Sequence, residues 1–280
     1  MNNPTNPRRR SRPFLYLKYF LSGASVVSFL CAALLAISIE MDGRELDKAV
    51  AGQITATSNT GEFIKELNNW VYNNKGFAKN KDYFVFKSLG PTPVQVLESG
   101  GDCSDKSRLL SALLKRRGVD STLVMLYECE GCEPTHTVVE ARYDKGRMAA
   151  DPVYDVVFPA EDGKFYGVED LRADPSKLTA RLDELEAERT RADKIAAYKR
   201  DIESYSWPKT INWDKNVILQ KMAAVIEMGG RDPFLVMRPY FLEDPKLFLM
   251  YLSLFLGMTT GLGALILSRT HAGRTRRAES

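Results

Sequence analysis

The sequence is poor in the residues that most enzyme chemistry uses: two histidines, four cysteines and three tryptophans in 280 residues. His271 sits in a basic stretch near the C-terminus, so His136 is the only histidine of the long central region. Any histidine-dependent chemistry there must pass through it. Cys31 lies inside an apolar run and reads as a small apolar residue. Cys103, Cys129 and Cys132 remain. The chain shows no internal repeat and no low-complexity tract. A clustered basic region is also missing from the centre. Residues 41–244 hold 29 Lys and Arg against 34 Asp and Glu, a net of −5, so the overall +3 belongs to the ends. This argues against nucleic acid as a partner, which would want a basic face on the folded domain.

Two apolar runs are present, Tyr19 to Ser38 and Leu247 to Leu267. Each is about 20 residues without a charge, the length that crosses a bilayer core. Backbone groups in lipid must pair within their own segment, so both are expected as helices. Arg8, Arg9, Arg10, Arg12 and Lys18 precede the first, and Arg269, Arg274, Arg276 and Arg277 follow the second. Positive flanks stay cytoplasmic. The expected layout is a basic cytoplasmic N-terminus (1–18), a span (19–38), a stalk (39–61), a core (62–160), a helical extension (161–244), a second span (247–267) and a basic tail (268–280). Residues 41–244 then face the extracytoplasmic, periplasmic side of a plasma membrane. A cleaved signal peptide is the rival reading. The first run is long for that, and no clear A-x-A site follows it.

The stripe Phe63, Leu67, Trp70 and Val71 predicts a helix over 63–73. "DYFVFKSLG" reads as a strand or an irregular segment, and 93–99 as a short helix stopped by Gly100-Gly101. A helix over 104–117 is marked by Leu109, Leu110, Leu113 and Leu114, by basic residues at its end and by Gly118 after it. "STLVMLYE", "THTVVEARY" and "RMAAD" read as strands, the last two joined by a turn at Asp144-Lys145-Gly146. Residues 175–204 form a charged helical stretch, either packed on the core as one or two helices or offered to an envelope partner. Residues 206–244 should pack on the domain and lead to the second span.

Cys103 follows a glycine pair and opens a helix. A helix N-terminus favours the thiolate, and its free N–H groups can hold an oxyanion. An inert buried cysteine would fit the same position. His136 opens a strand and Asp151 closes the next. A turn centred on Asp144-Lys145 sets Asp151 opposite Val138, and one centred on Lys145-Gly146 sets it opposite Glu140. In both registers Asp151 shares a sheet face with His136. The first makes them diagonal neighbours. A carboxylate that orients an imidazole, which activates a thiol, is triad logic.

These residues resemble the transglutaminase-like family. Gly101-Cys103-Asp105 matches its G-x-C-x-D at a helix start. Gly118-Val119 matches the end of that helix, His136 the strand opening, and Asp151-Pro152 the close of the next strand. The resemblance covers about residues 62–160. It implies an α+β, papain-like fold in which a Cys-bearing helix packs on an antiparallel sheet, here flanked by two transmembrane helices. It also implies Cys103 as nucleophile, His136 as general base and Asp151 as orienting group, with no cofactor and no metal. The implied chemistry is attack on a peptide or protein amide through a thioester, completed by water or an amine. Val138 and Val153 depart from the family's frequent aromatic and Thr. Gln95 is a weak candidate for an oxyanion donor.

Two rivals concern the other cysteines. Cys129-x₂-Cys132-x₃-His136 with Cys103 would make a Cys₃His zinc set. An oxidising compartment favours a local disulfide instead, and two free thiols decorating the loop before His136 stay open beside it. A redox C-x-x-C role would need a helix after the first cysteine, where Pro134 and a strand follow. For the whole chain, a membrane-anchored cysteine acyltransferase or hydrolase stands against a non-catalytic module that binds or scaffolds envelope proteins.

Overall fold

The computed structural model describes residues 7–56, 60–79, 82–129, 131–188, 192–199 and 202–278. In chain order its helices are α1 (Pro7–Val50), α2 (Gly61–Asn74), α3 (Pro93–Ser99), α4 (Cys103–Arg116), α5 (Val168–Ala173), α6 (Pro175–Ala187), α7 (Ala192–Lys199), α8 (Val217–Met228) and α9 (Pro245–Ala278). Its strands are β1 (Ser121–Tyr127), β2 (Pro134–Tyr143), β3 (Gly146–Asp151), β4 (Val156–Val157) and β5 (Trp207–Lys209). The chain divides into two units, residues 1–41 with 246–280, and residues 42–245. Parts of the expected basic ends (1–6, 279–280), stalk (57–59) and charged stretch (189–191, 200–201) lie outside the described residues.

The first unit holds two helical segments long and apolar enough to cross a bilayer, within Phe14–Val50 and Pro245–Thr270. Glycines of α9 let α1 approach closely. A Cβ on Gly257 would stand 3.2 Å from the Phe29 ring, and one on Gly261 3.0 Å from Ser25 Oγ. The Ser25 hydroxyl donates to the Gly257 carbonyl at 2.8 Å. Small residues one turn apart bring helices together in lipid, where burial from water supplies no drive.

Helix α1 continues beyond its apolar run. Residues 39–50, expected as the start of a stalk, are helical, and Leu46 and Val50, one turn apart, are buried in the core of the second unit.

The second unit is α+β. Its antiparallel sheet has the order β4-β3-β2-β1-β5 and two covered faces. Alternation along the strands sends Val139, Ala141 and Ala150 to one face, where they pack with α2 and α4. Val124, Leu126, Val138 and Ala149 point to the other, where α5, α6 and α7 supply Leu171, Leu178, Leu182, Leu185, Ile195 and Tyr198. The charged 175–204 stretch is thus a second covering layer. Among the described residues its thin apolar stripe is buried within the domain. Segment 206–244 departs from expectation at α8, which has no buried residue.

Helices α2 and α4 are joined by a buried cation. Lys106 Nζ, on a residue 3% exposed, donates to the carbonyls of Val71 (2.9 Å), Tyr72 (3.1 Å) and Lys75 (2.7 Å). These are carbonyls at the C-terminal end of α2, where no intrahelical donor remains and positive charge is favoured. Replacing Lys106 with Met keeps the stem and removes all three donors. It should cost about 2–3 kcal/mol, read as a lowered unfolding midpoint of the full chain.

Candidate active site

The glycine pair has separate tasks. Gly100 has φ +79°, and a Cβ there would lie 2.7 Å from the Gly76 carbonyl oxygen. A Cβ on Gly101 would lie 2.3 Å from Asp105 Cβ. Asp105 must come that close to cap the helix. Asp102 Oδ1 accepts from the Asp105 N–H at 3.1 Å, and Asp105 Oδ2 accepts from the Asp102 N–H at 3.4 Å, a reciprocal capping box. Burial and the Asp102 charge push the Asp105 carboxyl up to about 6. This clamp makes Cys103 the first residue of α4, where backbone N–H groups have no intrahelical acceptor. Cys103 is partly exposed and carries no disulfide.

Four residues on, the Ser107 hydroxyl donates to the Thr137 carbonyl at 3.0 Å. That bond ties the first turns of α4 to β2 beside His136. The hairpin takes the register that pairs Tyr143 with Gly146 and Val139 with Ala150, so Asp151 comes opposite Val138 and diagonal to His136. His136 Nε2 lies 2.6 Å from Asp151 Oδ2. The Cys103 side chain lies close enough to His136 to help raise its pKa. Cys103, His136 and Asp151 are thus brought together in space.

Asp151 is fully buried and held at every polar atom of its end of the strand. Its Oδ1 accepts from the N–H groups of Val153 (2.9 Å) and Tyr154 (3.3 Å), folding the chain back after Pro152. Its backbone carbonyl accepts from Asn68 Nδ2 at 3.2 Å. The Tyr198 hydroxyl meets the Tyr205 hydroxyl at 2.5 Å, and burial, helped by the Asp151 charge, raises the Tyr198 pKa. The Tyr198 ring stacks on Tyr154 (4.6 Å between centroids), and both stand edge-on to the His136 ring at 6.0 and 5.6 Å. Sequence reasoning missed Asn68, Ser107, Tyr198 and Tyr205. Tyr198 had one trace, as the lone aromatic of a charged helical stretch.

Burial pulls the His136 pKa down, but the charge and hydrogen bond of Asp151, then those of Cys103, outweigh it and push it up to about 10. The ring is therefore an imidazolium at neutral pH, donating to Asp151.

Cys129 and Cys132 form a disulfide with Cα atoms 5.3 Å apart, in the turn before β2. Both are thereby withdrawn from the alternative zinc set. Among the described residues no group of three or more His, Cys, Asp or Glu is placed to hold a metal. Gln95 Oε1 accepts from the Thr92 N–H at 2.8 Å, closing the cap of α3. A cleft of about 480 Å³ between α2 and the Asp155 turn is lined by Lys65, Trp70 and Arg181 among others and does not include Cys103.

A family model described as the transglutaminase-like superfamily matches residues 48–152. Those residues are a transglutaminase-like domain. The match begins within the last turn of α1 and ends one residue after Asp151, so it contains α2, α4 and the β1–β3 sheet. The matched residues fit a papain-like core and account for its helix-on-sheet arrangement. No curated protein and no solved structure matches the chain. Tyr198 and Tyr205, which cover the His136–Asp151 pair, come from outside the transglutaminase-like match.

The pH dependence of stability follows. His136 titrates near 6.5 when unfolded and about 10 when folded. A raised basic pKa contributes fully below 6.5, and the contribution is lost as pH rises through about 10. His136→Gln should flatten the fall in unfolding midpoint across that window, measured by thermal unfolding at stepped pH. An unchanged slope would count against the ion pair.

Proposed function

We propose that the chain is a membrane-anchored cysteine acyltransferase or hydrolase acting on peptide or protein amides. The observation that carries this reading is the buried His136–Asp151 pair, 2.6 Å apart, with Cys103 at the start of α4 close enough to help raise the His136 pKa. Cys103 Sγ attacks the amide carbonyl carbon as the thiolate of that pair. Charge that develops on the oxygen is met by the Cys103 N–H at the start of α4. As the C–N bond breaks, His136 gives its proton to the leaving amine, and a thioester remains on Cys103. Water or an amine then loses a proton to His136 and attacks the thioester, which releases an acid or a new amide and restores the Cys103 thiolate beside a protonated His136. Asp151 keeps the ring oriented and stabilises its charge throughout.

Access is from the Cys103 side. His136 and Asp151 are buried beneath Tyr154 and Tyr198, whereas Cys103 is partly exposed. Phe77, 63% exposed, bridges through its backbone to Gly101, two residues before Cys103. An exposed aromatic beside the nucleophile suits a peptide with an apolar residue near the scissile amide.

The two apolar helical segments anchor this domain in a plasma membrane. The basic flanks on both sides favour an extracytoplasmic position for residues 41–244. The Cys129–Cys132 disulfide agrees with an oxidising compartment.

A thiol-directed peptide electrophile should label Cys103 in the full chain. Labelling should vanish in Cys103→Ala and fall by roughly 10²-fold or more in His136→Ala. Amide turnover should decline as pH passes about 10, where His136 loses the proton destined for the leaving amine. If Cys103→Ala matches the parent in turnover and phenotype, the domain is a binding or scaffolding module instead.

A further inference from the structure

The helix that breaks the pattern of the second unit is α8. It has a proper start, with Asn216 Oδ1 accepting from the N–H groups of Ile218 (3.1 Å) and Leu219 (3.0 Å). It is therefore a built helix rather than a collapsed linker. Yet Val217, Ile218, Met222, Val225 and Met228 are between 50% and 79% exposed. At about 3.6 residues per turn these five lie on one continuous face. Leu219, Ala223 and Ile226 are half-buried on the side toward the domain, and Gln220 and Glu227 share one polar edge. Such a face costs free energy in water and calls for a cover.

A second copy of the chain is a poor cover. Twelve residues make a helix about 18 Å long and ~10 Å wide, so its face offers a few hundred Å², below the ~800 Å² per partner of a stable interface. A bilayer surface fits better. The second unit is joined at both ends to apolar helices long enough to span a membrane, and α8 precedes the second of them in the chain. The only charge within the apolar face is Lys221, whose stem can lie along lipid while its ammonium reaches headgroups. Lys215 and Arg231 flank the helix at either end.

We infer that α8 is an interfacial helix that lies in the headgroup layer of the membrane and docks the candidate catalytic unit on the lipid surface. The inference rests on the membrane-anchored reading above. Docking of this kind limits how the unit can tilt, and it directs the Cys103 site to substrates held at or near the bilayer.

The test uses the full chain in nanodiscs of phosphatidylethanolamine and phosphatidylglycerol, in a Cys31→Ser, Cys103→Ser background. Nitroxide labels are placed singly through Met222→Cys, Ile218→Cys, Glu227→Cys and, within the second span, Leu256→Cys. Collision with oxygen, which partitions into lipid, is compared with collision with a water-soluble nickel complex. The labels at 222 and 218 should show an oxygen-to-nickel ratio several-fold above that at 227, with the 256 label highest. If 256 is lipid-exposed but 222 and 218 match 227, α8 stands in water and the inference is overturned. If 256 itself is open to nickel, the membrane anchor is wrong and the inference goes with it. Dipolar broadening between labels at 222 on two copies would assign the face to a dimer and overturn it as well.

Discussion

A histidine ring that is 5% exposed would ordinarily be neutral, because charge is costly away from water. His136 holds its proton because Asp151 stands 2.6 Å away and is itself denied any freedom. Two backbone N–H groups after Pro152 hold the carboxylate, and Asn68 fixes its main chain. Orientation of the imidazole, its charge and its approach to Cys103 all depend on this one contact. Breaking a buried pair on one side leaves the partner charge uncompensated, so the surrounding layers are constrained to keep it closed.

The pair sits on the sheet face opposite the layer that carries α4. Cys103 reaches it from the helix start at the end of the strand, held by Ser107 on Thr137. The face carrying His136 and Asp151 is roofed by α7 and the Tyr205 segment, which lie outside the transglutaminase-like match. The C-terminal extension is therefore part of the site's construction. It covers the hydrogen-bonded end of the histidine, while Cys103 stays partly exposed.

Local signals in the sequence were reliable where the interaction itself is local. The leucine stripe and Gly118 placed α4 within a residue of its observed ends, and the strands of the hairpin fell where alternation put them. Hairpin parity ensured that His136 and Asp151 would share a face. Only the sheet chose between the two registers, because both turns are compatible with Asp144-Lys145-Gly146. Residues 39–50 read as a linker because a polar helix with only two buried apolar side chains, Leu46 and Val50, looks like one until its partners are known. The segment around α8 was expected to pack because it is apolar, and apolar composition does not say whether protein or lipid provides the cover.

What the sequence alone determined is the inventory and its spacing: one central histidine, a cysteine at a glycine-marked helix start, an Asp-Pro closing the next strand, and two apolar runs. These follow from backbone periodicity and capping, which act over a few residues. Tertiary structure decided which partners those groups meet. Asn68 arrives from 83 residues before Asp151 and Tyr198 from well after it, and the Cys129–Cys132 bond settled what spacing left open. Such contacts form only when distant segments bury surface together, and the free energy that selects them is spread over the whole core.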